Sequence, residues 1–227
     1  MKHRLRVVMV AAACGAAIGV LATRTQDFSL IPPSARDQAL LAHSRFLVAG
    51  ILGWVVFSLY WEIEAKKAAP AKTSESKGSR AVHVFMANAA LILEIAPIRG
   101  LGRLLPASPS IMTAGLAVEA VGLFLAIWAR RHLGRNWSGE ITIKVDHQLI
   151  RSGPYRLLRH PIYTGLLAMY TGIAILTGEW LAVVGWAMAM FAYWRKIRLE
   201  EANLRVAFGA EYESYRRETW ALVPGVW

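Results

Sequence analysis

The sequence predicts an all-α, polytopic membrane helical bundle with about six crossings. A short carboxyl-terminal helical hairpin and amphipathic cytoplasmic tail helices end it. Three observations carry this. Apolar residues make up 56% of the 227 residues and mean hydropathy is +0.37, yet the formal net charge is +11. A soluble basic protein is not this apolar, whereas a membrane protein with basic loops combines both properties. Long runs nearly free of charge recur along the chain, and the lysines and arginines fall in the linkers between them. Backbone groups in a bilayer must bond internally, so these runs are expected as helices. The sequence pI of 10.2 does not read as a nucleic-acid interface, because the basic residues lie between apolar runs and form no single stripe. The single cysteine, Cys14, excludes an intrachain disulfide and a Cys-rich zinc cluster, and reads as a packing residue.

Residues 7–23 carry no charge and follow Lys2, Arg4 and Arg6, which suits a retained first helix better than a cleaved signal segment. Residues 46–61 form a second uncharged run. Residues 81–98 form a third, interrupted by His83 and Glu94, and residues 111–129 a fourth with one acid, Glu119. An acid inside a membrane span is a functional residue by default. Glu119 is read either as lining a substrate channel or as a hydrogen-bonded packing acid against another helix. Residues 164–194 hold a single charge, Glu179, and are too long for one ordinary span. Thr177-Gly178-Glu179 is a natural turn in the middle. Each half is then roughly 22 Å of helix against a hydrocarbon core of about 30 Å, so the hairpin must borrow neighbours such as Ile162, Tyr163 and Arg195. With the amino end taken as cytoplasmic, 21 of the 26 lysines and arginines lie in inner linkers, which places both termini on the cytoplasmic side. The Lys- and Ser-rich residues 65–79 read as a loop. After Trp194, Leu199, Leu204, Phe208, Tyr212 and Tyr215 form an apolar stripe with charges opposite, and Gly209 breaks or bends it. Such a tail can lie on the membrane or fold back over the loop before the hairpin. The chain thus divides into residues 1–130, with about four spans, and residues 131–227, with the features that carry chemistry.

Foremost among these is the stretch 147–165, HQLIRSGPYRLLRHPIYTG. Gly153-Pro154 marks a turn, and Pro161 suits the first position of a helix. His160 then sits at a helix amino end, where backbone N–H groups attract anions, with Arg156 and Arg159 adding positive charge. Singly, the arginines could merely fix topology and His160 merely cap the helix. Together with Tyr155 and Tyr163 they form a cluster suited to a ligand. Glu200 and Glu201 follow on the tail. Adjacent acids on a helix point about 100° apart, so one is expected to face a ligand and the other solvent, paired at helical spacing with Lys196 or Arg205.

LGRNWS at 133–138, the 147–165 stretch, an apolar hairpin, the acidic pair, FGAEYESY at 208–215 and Pro224 together resemble the isoprenylcysteine carboxyl methyltransferase family of integral membrane, S-adenosylmethionine-dependent enzymes. The likeness covers residues 133–224. It implies that His147, Gln148, Leu149 and Ile150 line the cofactor site, together with Tyr155, His160, Pro161, Ile162 and Tyr163, and that Glu200 reaches the cofactor from the tail. It also implies a basic acceptor-contacting residue about one turn before that acid. Lys196 stands there, where arginine is usual. Glu140 stands where the family can place an amide. The chemistry agrees: arginine, histidine and a helix start suit the cofactor's carboxylate, tyrosine faces its sulfonium, and an acid its ribose.

Methyl transfer is an in-line displacement. A carboxylate acceptor is already ionised at pH 7 and needs alignment, exclusion of water and a cation. Arg159 is the first candidate for that cation, with Lys196 or Arg198 second. An amine acceptor, as in related phospholipid methyltransferases, would need Glu200, Glu201 or His160 as base. The expected acceptor is lipid-like, an isoprenylated cysteine carboxylate or similar, entering from the bilayer. A sterol-type reductase and a non-catalytic membrane protein remain alternatives on the same scaffold.

Overall fold

The computed structural model describes residues 33–67, 75–96, 102–137 and 148–226. Cys14, Glu140, His147 and the expected first span at 7–23 lie outside the described residues. Among those described there are six α-helices and no strand, only two isolated bridges. The helices are α1 (Pro33–Ala65), α2 (Lys77–Ile95), α3 (Pro109–Leu133), α4 (Pro161–Thr177), α5 (Trp180–Phe208) and α6 (Ala210–Glu218).

Two stretches are long and apolar enough to cross a membrane, Ala42–Ala65 within α1 and Pro109–Leu133, which is α3. At 25 residues, α3 spans about 37 Å, more than a hydrocarbon core needs. Helix α4, with 17 residues, is apolar but shorter. Helix boundaries follow local chemistry. Ser76 and Ser108 accept the N–H groups of Ser79 and Ile111 at the starts of α2 and α3, and Pro109 occupies the first turn of α3. Arg130, Arg131 and His132 fill the last turn of α3, where the helix dipole favours cations. Helix α1 begins 13 residues before the uncharged run at 46–61, so the helix takes in part of the linker ahead of that run.

The hairpin turns where its sequence indicates. Gly178 ends α4 at φ 62°, and Leu104 and Leu105 donate their N–H groups to its carbonyl at 2.7 and 3.1 Å. Helix α5 does not stop at the end of the apolar run. It continues for 29 residues, about 43 Å, so the second hairpin arm and the first tail helix are one rod. Gly209, at φ 51°, breaks it before α6.

Helices α3 and α4 pack backbone to backbone. A Cβ built on Gly122 would stand 2.5 Å from the Gly165 carbonyl oxygen, and one on Gly172 2.6 Å from that of Gly115. Small residues permit this approach in membrane-type bundles, where apolar burial gives no drive between helices. Glu119 is buried here against Gly50, Gly53 and Gly172, and neither carboxyl oxygen has a hydrogen bond among the described residues. It packs against α1 and α4 without the hydrogen bond expected of a packing acid.

Candidate functional site

The loop before α4 and the end of the chain are knitted together. Gly153 adopts φ 59° directly beneath the His132 ring, where a Cβ would meet Cε1 at 2.6 Å, so both backbone and space require glycine. The turn Gly153–Arg156 then buries Tyr155. The chain after α6 runs back along this loop. Arg159 N donates to Trp220 O at 2.8 Å, Trp220 N to Leu157 O at 3.1 Å, and His160 N to Ala221 O at 3.1 Å. Thr164 Oγ1 donates to Leu222 O at 2.8 Å, and Tyr215 Oη to Tyr155 O at 2.7 Å. Of the two placements open to the tail, the molecule folds it back.

His160 precedes α4 but makes no side-chain capping bond. Its ring lies flat against Tyr163, with centroids 5.5 Å apart and planes 9° from parallel. Both acids of α5 address it: Glu200 Oε2 lies 3.9 Å from Nδ1, and Glu201 Oε1 lies 3.5 Å from Nε2. The expectation that only one of the pair faces the site therefore fails. Side chains that diverge by a quarter turn still converge on one imidazole when its two nitrogens lie on different edges.

The acids nevertheless differ. Glu200 is half-buried and accepts a 2.7 Å hydrogen bond from Tyr163 Oη. Glu201 is buried, bonded by Arg159 Nε at 2.8 Å and Arg205 at 3.4 Å. Burial pushes the Glu201 carboxyl up, but hydrogen bonds and charge from His160 and Arg159 outweigh this and hold it at about 2. The Arg159 guanidinium also donates to the carbonyls of Arg216 and Thr219, so it is spent on joining α5, α6 and the loop. Lys196, just beyond the apolar run, is buried, and its Nζ lies 3.9 Å from Glu75 Oε1. Burial pushes its ammonium down, opposed by the Glu200 and Glu75 charges. Arg198 and Arg156 are exposed.

Of the other residues expected here, Pro161 and Ile162 are buried under the tail, and Leu149 and Ile150 are partly buried, Ile150 against the core. Gln148 is exposed, its N–H 3.5 Å from Asn136 Oδ1. From Tyr163 an aromatic series continues inward through Tyr193, Tyr170 and Trp54, with successive centroids 5.3, 6.2 and 4.7 Å apart.

Two residues near this region escape sequence reasoning. Arg130 counts there only as a topological charge. It is buried, lies 4.2 Å over the Trp137 ring, and donates to Glu64 O and Gly134 O at 2.7 and 2.9 Å, tying the ends of α1 and α3. Glu75 reads as loop surface but is brought against Lys196; no local pattern marks a partner 121 positions away.

The model of the phospholipid methyltransferase family matches residues 110–211, from the start of α3 to α6. A probable protein-S-isoprenylcysteine O-methyltransferase from Oryza sativa subsp. indica is 33% identical over 113 residues, covering 48% of this chain and 59% of the rice protein. The chain is thus similar to the phospholipid methyltransferase family over residues 110–211 and to an isoprenylcysteine O-methyltransferase over 113 residues. The chain spans less than two thirds of the length of these relatives. The cobalt-zinc-cadmium resistance protein CzcN of Cupriavidus metallidurans is 36% identical over 120 residues, covering 52% of this chain and 50% of that protein. The solved structure of the eukaryotic intramembrane Ras methyltransferase (isoprenylcysteine carboxyl methyltransferase) superposes with a TM-score of 0.57 at 16% identity, covering 97% of this chain and 75% of that one. The two therefore share a fold.

Proposed function

We propose that the protein is an S-adenosylmethionine-dependent methyltransferase that esterifies a lipid-like carboxylate, such as that of an isoprenylated cysteine. One observation carries this most: the His160–Tyr163 stack held between Glu200 and Glu201 at the mouth of an apolar hairpin, in the region matched by methyltransferase relatives.

The residues present fit the cofactor. Among the described residues, the buried Tyr212 Oη has no hydrogen bond and is available to a polar ligand, while His160 Nε2 faces only the Glu201 carboxylate at 3.5 Å. The half-buried Glu200, oriented by Tyr163, suits ribose hydroxyls, and the HPIY tetrad 160–163 with Tyr155 and 147–150 would form the rest of the site. S-adenosylmethionine, when bound, supplies the electrophilic methyl group. The chain's own residues do the remainder. Lys196 holds the acceptor carboxylate in line. Arg159 is a positioning residue that keeps Glu201 and the returned tail in place. The tail excludes water. A carboxylate acceptor needs no base, and the acceptor's apolar end enters between helices from the bilayer. The bias of lysine and arginine toward the inner linkers supports a multi-pass protein with this site and both termini cytoplasmic and residues 131–227 as its catalytic region. The match to phospholipid methyltransferases favours a second reading, N-methylation of an amine headgroup, with Glu200 as base. S-adenosylhomocysteine should raise the melting temperature and NADPH should not. The reverse pattern would replace this reading with a reductase.

A further inference from the structure

The amino end of α2 is fastened to α5 beside the acidic pair. Arg195 donates to Ser79 Oγ at 2.9 Å and to its carbonyl at 3.4 Å, and the His83 ring stands edge-on to Tyr193 with its Nδ1 3.3 Å from Ala192 O. Glu75, just ahead of the α2 cap, is drawn in by the same docking. Its side chain is only 8% exposed, as is that of Lys196. Its Oε1 stands 3.9 Å from the Lys196 ammonium and has no hydrogen bond among the described residues. A carboxylate taken out of water usually needs close hydrogen-bonded partners. This oxygen has one distant cation instead, which makes the contact easy to exchange for a better-fitting carboxylate.

We propose that Glu75 is an internal stand-in for the acceptor, occupying the acceptor-carboxylate position on Lys196 until an incoming carboxylate displaces it. The inference rests on the function proposed above. Glu75 thereby sets a threshold. Neutral lipids cannot displace it, and for a carboxylate acceptor the apparent affinity is reduced to the fraction of time Lys196 is uncovered. Once displaced, it has no part in methyl transfer, so the effect falls on KM and not on kcat.

The test uses the full chain in lipid nanodiscs, S-adenosylmethionine and a farnesylated cysteine carboxylate at varied concentration. Glu75→Gln should lower the acceptor KM by about three- to tenfold, tenfold meaning that Glu75 covers Lys196 about nine-tenths of the time. kcat should stay within about twofold, and inhibition by the farnesylated cysteine methyl ester, which lacks the carboxylate, should not change. In a Lys196→Met background, Glu75→Gln should have no further effect. Glu75→Asp, which retracts the carboxylate by one methylene, should lower KM in the same direction and serves if the glutamine variant does not fold. Ser79→Ala loosens the same segment without touching the carboxylate and should not lower KM. An unchanged or raised KM in Glu75→Gln, with the wild type active, overturns this inference and leaves the methyltransferase reading standing. A wild type that transfers no methyl group overturns both.

Discussion

Glu201→Gln tests the electrostatic frame of the site. The Glu201 carboxyl is held at about 2 against an ordinary 4.5. At about 1.4 kcal/mol per pKa unit, this difference is worth about 3 kcal/mol of folding stability at neutral pH. A carboxyl with a lowered folded-state pKa contributes in full above its unfolded value and loses that contribution as pH falls from about 4.5 through about 2. In a chain of this size each kcal/mol moves the melting temperature by roughly 2–4 °C, so Glu201→Gln should melt about 6–12 °C lower at pH 7. The assay is thermal denaturation in detergent, followed by tryptophan fluorescence, since Trp220 lies in the returning tail segment that Arg159 secures. The wild type should lose its advantage over the variant as the pH is lowered from about 5 towards 2. Removing both partners, in Glu201→Gln with Arg159→Met, should cost less than the sum of the single changes, because a buried charge is destabilising chiefly when left alone. Equal melting temperatures at pH 7, or additive losses in the double variant, would refute the reasoning.

Two further outcomes follow from the geometry. Gly122→Ala should destabilise by about 1–3 kcal/mol in thermal denaturation, since its Cβ would meet the Gly165 carbonyl oxygen at 2.5 Å and the Met169 backbone nitrogen at 2.8 Å, and neither can turn aside; Gly78→Ala, with nothing within 4 Å, should cost nothing. Tyr163→Phe keeps both ring contacts but removes the 2.7 Å bond to Glu200, so S-adenosylhomocysteine affinity by calorimetry should fall about tenfold with little change in melting temperature.

What was legible in the sequence was local. Gly178 and Gly209 mark the turn and the break because positive φ favours glycine, and Pro161 marks the start of α4 because it needs no amide partner there. The apolar stripe from Leu199 to Tyr215 announces the tail helices, but only its distal members Tyr212 and Tyr215 are buried, while Leu204 and Phe208 are half-buried and Leu199 is exposed. Pairings between distant elements were not legible. Arg159, a first choice for the acceptor cation, instead meets Glu201 and the carbonyls of Arg216 and Thr219, partners set by how the chain returns. Lys196 then becomes the better candidate, and Glu75 beside it carries no signature in its own neighbourhood. The paired glycines of α3 and α4 lie seven residues apart on each helix, 115 and 122 against 165 and 172, a repeat visible in the sequence only once one looks for a close helix crossing.

The central claim is methyl transfer to a lipid-like carboxylate. Its most direct measurement is incubation of the purified protein with S-adenosylmethionine labelled in the methyl group and a farnesylated cysteine analogue, followed by extraction and treatment of the product with base. The account predicts label in the lipid extract that base releases as methanol, the mark of a methyl ester. Label that withstands base would place the methyl group on an amine, and no label at all would contradict the account outright.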